Sequence, residues 1–290
     1  MSLKPWLLAS RPKTLPAAIA PVFVGTALAW DVGGFRWDPA LICLLFALLI
    51  QIGTNFANDY FDFKKGADTQ DRIGPTRAVA AGLVKPETMK RVTAITFLIA
   101  FCVGLGLIPY GGWWLLAVGV TSILCGYAYT AGPFPLAYVG LGDVFVMLFF
   151  GLVAVCCTFF VQTGYFSIES VLVATAIGAL STNLLVVNNL RDIDTDQLAN
   201  KRTLAVRLGR AFSIWQYRLL WLWSQIAVIW LAFRMNDSWV QLPLITLPLG
   251  FLLWMGICRA DSGPAFNQVL AKTALMLILY SVTLSIGLWI

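Results

Sequence analysis

The chain has 290 residues, 59% of them hydrophobic and 12% charged, with a net charge of +6 and a mean hydropathy of +0.81. A soluble domain carries about twice that charged fraction, so a water-soluble globular enzyme is excluded. Histidine is absent, which removes His-ligated haem, His general bases and His–metal centres and leaves Asp, Glu, Asn, Tyr, Lys and Arg for any acid–base or metal chemistry.

Apolar stretches near the ~20 residues that cross a bilayer recur along the chain. Nine spans are predicted: 15–30, 39–58, 92–109, 112–130, 139–162, 170–190, 211–234, 238–258 and 267–290. The opening MSLKPWLLASRPKTLPAAIAPVFVGTALA superficially suggests a signal peptide, but basic residues reach Lys13 and two prolines interrupt its apolar run, so a retained helix is expected. IPYGG (108–112) and TAGPFP (130–135) punctuate the middle of the chain. All six cysteines lie in or beside apolar segments and form no CxxC pair, which argues against zinc and disulfide frameworks. Lys4, Arg11 and Lys13 precede the first span, Lys64 to Arg91 separate the second and third, and Arg191 to Arg218 follow the sixth. The positive-inside rule then places the N-terminus in the cytoplasm and the C-terminus opposite. The expectation is an all-α, polytopic membrane protein with about nine transmembrane helices around a central cavity, capped by cytoplasmic loops and forming one domain over 1–290. RAVAAGL (77–83) and RTLAVRLG (202–209) share a spelling, consistent with a weak pseudo-repeat of 1–130 on 139–258.

Two cytoplasmic loops open on acids. In NDYFDFKKGAD (58–68), Asn58 and Asp62 stand at i and i+4 on a continuing helix, with Asp59 on the flank. In NNLRDIDTDQLANKRTLAVRLG (188–209), Asp192 and Asp196 repeat that spacing, and Asp194 turns away. Hard oxygen ligands without histidine or thiolate select Mg²⁺ or a similar cation, which keeps positions open for substrate phosphates. The interleaved Lys64, Lys65, Arg72, Arg77, Arg191, Lys201 and Arg202 suit the remaining phosphate charge. The pattern reads as a site for a phosphorylated lipid. Asn55, Asn183, Asn188 and Asn189 are costly against lipid and are expected to line a cavity.

Four stretches carry a family resemblance: RPKTLPAAIAPVFVG (11–25), NDYFDFKKGAD with GPTRAVAAGLV (74–84), YTAGPFPLAYVGLGDVFVMLFFG (129–151) and the second acid segment. The chain resembles the intramembrane aromatic prenyltransferases of the UbiA superfamily, and within it the 1,4-dihydroxy-2-naphthoate polyprenyltransferases of menaquinone and phylloquinone synthesis. Two departures stand out: Gly66 occupies a position often acidic in the superfamily, with Asp68 two residues later, and Asn200 stands where Gly is common. Asn tolerates left-handed backbone, so the turn is expected to survive.

The resemblance implies Mg²⁺ held by Asn58, Asp59, Asp62, Asp68, Asp192 and Asp196. Asn58, Asp62, Asp192 and Asp196 are the catalytic set, and Lys65, Arg72, Arg77, Arg191 and Lys201 bind diphosphate. Arg11 or Lys13 would hold the acceptor carboxylate, with Tyr129, Tyr138 and Asp143 in the same pocket. Asp143 would orient a substrate hydroxyl or cap its helix. Electron-rich walls for an allylic cation are sought among Phe61, Tyr129, Tyr138, Phe149 and Phe150. The implied partners are polyprenyl or phytyl diphosphate, the dihydroxynaphthoate and the bilayer, with no nucleic acid. The implied location is a prokaryotic plasma membrane or a thylakoid. A relative acting on 4-hydroxybenzoate or homogentisate, and a secondary transporter, remain alternatives at this point.

Overall fold

The computed structural model describes residues 3–67, 74 and 76–290, and its regular elements there are helical. A short α1 (Lys4–Ser10) precedes α2 (Pro16–Asp31), and the two segments Lys4–Thr14 and Pro16–Asp31 meet at a 54° bend. Next come α3 (Trp37–Lys64), α4 (Pro86–Leu105), α5 (Trp114–Ala128) and α6 (Gly142–Thr163). The second half is built from α7 (Ile168–Arg191), α8 (Ile193–Leu198), α9 (Leu204–Met235), α10 (Trp239–Arg259) and α11 (Gly263–Trp289).

Local chemistry sets these boundaries. Proline occupies the first turn of α2, α4 and α11, where its missing N–H has no intrahelical partner to lose. Ser167 and Ser170 form a capping box at the start of α7, and the Thr203 hydroxyl accepts the Val206 N–H at the start of α9.

By length and apolarity α3, α4, α6, α7, α10 and α11 are able to cross a bilayer, and the bent α1–α2 segment makes a seventh. Each expected span has a helical counterpart, but two miss that standard. α5 has only 15 residues, and α9 is broken at Gly209 and carries Arg207, Arg210 and Arg218 along its first half.

Helix α7 is central: 83% of its most apolar stretch is buried inside the protein, against 28% for α4. It packs on α9, α11, α6 and α2, while α3 packs on α4. The α6–α7 contact depends on glycine. The middle of α6, Met147–Val153, is π-helical, and a Cβ on Gly151 would stand 2.6 Å from the Ala174 carbonyl oxygen and 2.9 Å from the Gly178 Cα. Neither neighbour is a side chain that can rotate away. Gly151→Ala is therefore expected to destabilise the protein by about 1–3 kcal/mol, read as a lower Tm in detergent. Gly256→Ala, whose Cβ would meet only the Val269 side chain at 3.4 Å, is expected to leave Tm nearly unchanged.

Candidate active site

One cavity of about 640 Å³ runs into the bundle. One end of it is polar, lined by Arg11, Lys13, Asn58, Asp62, Arg77, Asn188, Asn189, Arg191, Asp192 and Lys201. The rest is mostly apolar, with Val22, Cys43, Phe46, Leu107, Leu115, Phe149 and Phe150 in its walls. Cys43 precedes Asn58 by fifteen residues on one helix, so this arm reaches about 22 Å below the polar mouth.

The two acid segments end alike. Gly66 stops α3 with φ 70°, and the Gly66 and Ala67 amides donate to the Phe63 and Asp62 carbonyls. Asn200 stops α8 with φ 55°, and the Asn200 and Lys201 amides donate to the Gln197 and Asp196 carbonyls. Both are Schellman stops, placed four residues after Asp62 and Asp196 respectively. The two departures from the superfamily pattern, Gly66 and Asn200, are thus the left-handed residues that end the two helices. Asp62 and Asp196 each lie in a last helical turn, where the negative end of the helix dipole favours a cation.

Asp62, Asp192 and Asp196 each have a cation beside them. The Arg77 Nη2 donates to the Asp62 Oδ2 at 2.9 Å, and both side chains are buried. The Tyr138 hydroxyl donates to the other Asp62 oxygen at 2.9 Å. Arg191 grips Asp192 with Nε at 2.8 Å and Nη2 at 2.7 Å, and its Nη1 donates to the Asn267 side-chain oxygen at 2.8 Å. Lys201 donates to the Asp196 Oδ1 at 3.1 Å. Lys65 donates to the Thr130 carbonyl at 2.6 Å, and the Thr130 hydroxyl donates to the Asn58 oxygen at 2.8 Å. Burial raises the Asp196 carboxyl above its ordinary range, opposed by Lys201 and reinforced by Asp192 and Asp62. Burial likewise lowers the Lys65 ammonium, with Asp62 opposing.

The donor set fits Mg²⁺ of the kind that bridges to a substrate. The Asp196 Oδ2 is buried without a hydrogen-bond partner, an acceptor that a cation would satisfy. Among the described residues, no three His, Cys, Asp or Glu side chains are grouped to hold a metal by themselves. Such a site draws its remaining ligands from phosphate oxygens and water, as Mg²⁺ sites commonly do.

Several expected residues act differently from the sequence reading. Asp192 and Asp196 are not on one helix: α7 ends at Arg191, Asp192 sits in the break, and Asp196 lies on α8. Asp59, expected as a flanking metal ligand, accepts the backbone amides of Ala78 and Val79 at 2.9 and 3.0 Å. Tyr138, expected in the acceptor pocket, lies outside the cavity lining and spans both acid segments. Its hydroxyl is on Asp62, while the Lys65 and Lys201 ammonium groups stand 4.2 and 6.0 Å from its ring centre. Asp143 also lies outside the lining, accepting from the Gln216 amide at 2.9 Å across to α9.

Arg11, Lys13 and Tyr129 do line the cavity, as do Phe149 and Phe150. Phe61 packs edge-on against Tyr60 and Tyr127 instead. Asn183 donates to the Tyr217 carbonyl and joins α7 to α9, whereas Asn55, Asn188 and Asn189 reach the cavity. Asp68 and Arg72 lie outside the described residues. The sequence reading missed Thr130, Asn267 and Gln216, single polar residues in apolar or turn segments with no spacing to mark them. It also missed Gln51, which extends the Asn58–Asp62 face by two turns.

The UbiA prenyltransferase family matches residues 18–287. The 1,4-dihydroxy-2-naphthoate octaprenyltransferase of Mycobacterium leprae is 35% identical over 98% of this chain and 96% of its own. The Escherichia coli protein of the same name is 36% identical over 98% and 95%. A UbiA homologue from Archaeoglobus fulgidus, solved with GPP and Mg²⁺, superposes with a TM-score of 0.67 at 13% identity, covering 97% of this chain and 99% of that one. On the sequence match and the shared fold together, this chain belongs to the UbiA prenyltransferase family.

Proposed function

We propose that the protein transfers an isoprenoid chain, polyprenyl or phytyl, from its diphosphate to 1,4-dihydroxy-2-naphthoate, releasing CO₂ and diphosphate and leaving a prenylated naphthoquinol. The observation that carries this reading is a single cavity joining a mouth of paired carboxylates and cations to an apolar arm about as long as half a bilayer or more. The names of the bacterial relatives supply the acceptor, and the ligands named for the Archaeoglobus structure supply the donor class and metal. The polar mouth is assigned to the cytoplasmic face, because most of the chain's basic residues border it or its loops.

Before substrate arrives, the site is balanced internally: Asp62 with Arg77, Asp192 with Arg191, Asp196 with Lys201. A diphosphate entering between the two segments competes for those cations, and Arg can meet phosphate oxygens bidentately. The carboxylates freed in this exchange, with the Asn58 oxygen, would hold Mg²⁺, which when bound would supply positive charge to the leaving diphosphate. Arg77 and Lys201, once exchanged onto the diphosphate, add positive charge at the same place as the C–O bond breaks.

The tail lies in the apolar arm, and the allylic carbon faces Tyr129, Phe149 and Phe150, whose ring faces suit a cation. The ring carbon then bonds to the allylic carbon, and the ring–carboxylate bond breaks with its electron pair returning to the ring. Charge balances, since the carboxylate's negative charge appears on the departing diphosphate. Decarboxylation takes the place of ring-proton removal, so a chain without histidine lacks nothing it needs.

Purified protein given geranylgeranyl diphosphate and carboxyl-labelled 1,4-dihydroxy-2-naphthoate should release labelled CO₂ only with Mg²⁺ and donor together. Diphosphate release without CO₂ would move the acceptor to a hydroxybenzoate or homogentisate. A donor left unconsumed by folded protein would overturn the reading.

A further inference from the structure

Helix α9 leaves the polar mouth with Arg207, Arg210 and Arg218 along its first half, and they are not equally provided for. Arg207 donates to the Arg202 carbonyl at 3.1 Å. Arg210 donates to the Ile257 carbonyl at 3.2 Å and to the Ala260 carbonyl, which ties α9 to the end of α10. Arg218 has neither a hydrogen bond nor an ion pair among the described residues. Its guanidinium stands 4.9 Å from the Trp215 ring centre and 4.7 Å from that of Trp254 on α10. The indole faces attract the cation but give its N–H groups no acceptor.

Depth along the helix says what can supply one. Arg234, paired with Glu169, marks the far end of α9 and lies about 24 Å beyond Arg218. A hydrocarbon layer of ~30 Å measured from Arg234 therefore ends about one helical turn before Arg218. Side chains on a helix lean toward its N-terminus, here toward the mouth. The Arg218 stem thus stays in hydrocarbon while its guanidinium rises to the level of the lipid phosphates. The face around it is open to lipid: Trp215, Leu219 and Leu252 are 56%, 59% and 65% exposed. Neither α9 nor α10 contains an Asp or a Glu, so the helices that frame the cation offer it no anion.

We propose that Arg218, held between Trp215 and Trp254, is the seat of one phospholipid phosphate in the leaflet at the polar mouth, with an anionic phospholipid as its preferred occupant. Two phosphodiester oxygens match the bidentate edge of the guanidinium. The acyl chains lie along the exposed apolar flank of Leu219, Phe251 and Leu252. Arg207, Arg210 and Arg259, at the same end of the α9–α10 pair, favour a headgroup of net negative charge over one that brings its own cation. A free phosphate ion lacks the chains that cover the flank.

The test is native mass spectrometry of the delipidated full-length protein in neutral detergent, titrated with phosphatidylglycerol or with phosphatidylcholine of the same chains. The first phosphatidylglycerol should bind tighter than the first phosphatidylcholine by roughly five- to tenfold. Arg218→Met keeps the stem and removes the charge. It should abolish that preference, while Tm and prenyl diphosphate turnover in detergent stay near wild type because no protein partner is lost. Trp215→Leu, on the exposed face, should weaken phosphatidylglycerol by about two- to fivefold, and it reads the same seat should Arg218→Met fail to fold. Lys90→Gln, which removes an exposed cation at the start of α4, should keep the preference, and excess inorganic phosphate should displace no lipid. An undiminished preference in Arg218→Met or Trp215→Leu, a loss of equal size in Lys90→Gln, or displacement by inorganic phosphate would rule the seat out.

Discussion

Asp62→Asn and Asp192→Asn are each expected to lower kcat/KM for the prenyl diphosphate by roughly 10²–10³, with the residual activity requiring higher Mg²⁺. Asn keeps the size of each side chain but removes its charge and turns one acceptor oxygen into an NH₂ donor, so the loss reports the carboxylate's charge and hydrogen bonding rather than packing volume. The two variants should differ in stability. Asp62 is buried against Arg77, and removing one partner of a buried pair costs about 3–5 kcal/mol; its Tm should fall clearly. Asp192 is more open, its side chain 14% exposed, and it faces Arg191 at the end of its own helix, so its Tm should move less. Steady-state assays across a Mg²⁺ series, with Tm measured on the same preparations, separate the two effects. Near-wild-type kcat/KM in either variant would remove that residue from the metal site.

The elements legible in the sequence were those written in period and charge. The apolar stretches located the helices, because the bilayer demands length and internal hydrogen bonding from every span. Asn58 with Asp62 and Asp192 with Asp196 were visible because both pairs keep one spacing beside basic residues. The tertiary assignments were hidden for a physical reason: in a chain with 13% aromatic residues, nothing local says which ring meets the cavity. Tyr129 lines it, while Tyr138, nine residues on, lies beneath two lysines. Asp192 and Asp196 keep the i, i+4 spacing, but the chain breaks at Asp192, which follows α7 and caps α8, and the Asp196 amide donates to the Asp192 carbonyl across that first turn. Asn200 keeps the left-handed turn expected of it, whereas Gly66, read as a departure from an acidic position, is shown by its backbone angle to be the equivalent stop of α3.

Asp59, which lines the cavity, is where a metal ligand and a residue that builds the site are told apart by experiment. It is 1% exposed, and its two oxygens accept the consecutive amides of Ala78 and Val79. Those residues directly follow Arg77 in the chain, and they pack with Ala9, Phe56, Tyr60, Val84 and Met89 in a small cluster over the end of α3. The carboxylate thus pins the loop that carries Arg77 to Asp62, one turn along the same helix. Hydrogen bonds to a charged acceptor contribute about 1.5–3 kcal/mol each, so Asp59→Ala should destabilise the protein by several kcal/mol on that scale and lower its Tm. With Arg77 no longer held in place, the KM for the prenyl diphosphate should rise and kcat should fall, together by roughly a hundredfold. Excess Mg²⁺ should restore nothing, in contrast to Asp192→Asn, because what is lost is the loop and not a ligand. Asp59→Asn should fall between the two, since one amide oxygen can still accept from the loop while its NH₂ group faces the second backbone donor. If instead Asp59→Ala keeps its Tm and regains activity at high Mg²⁺, the residue is a ligand and the loop is held by its apolar contacts alone.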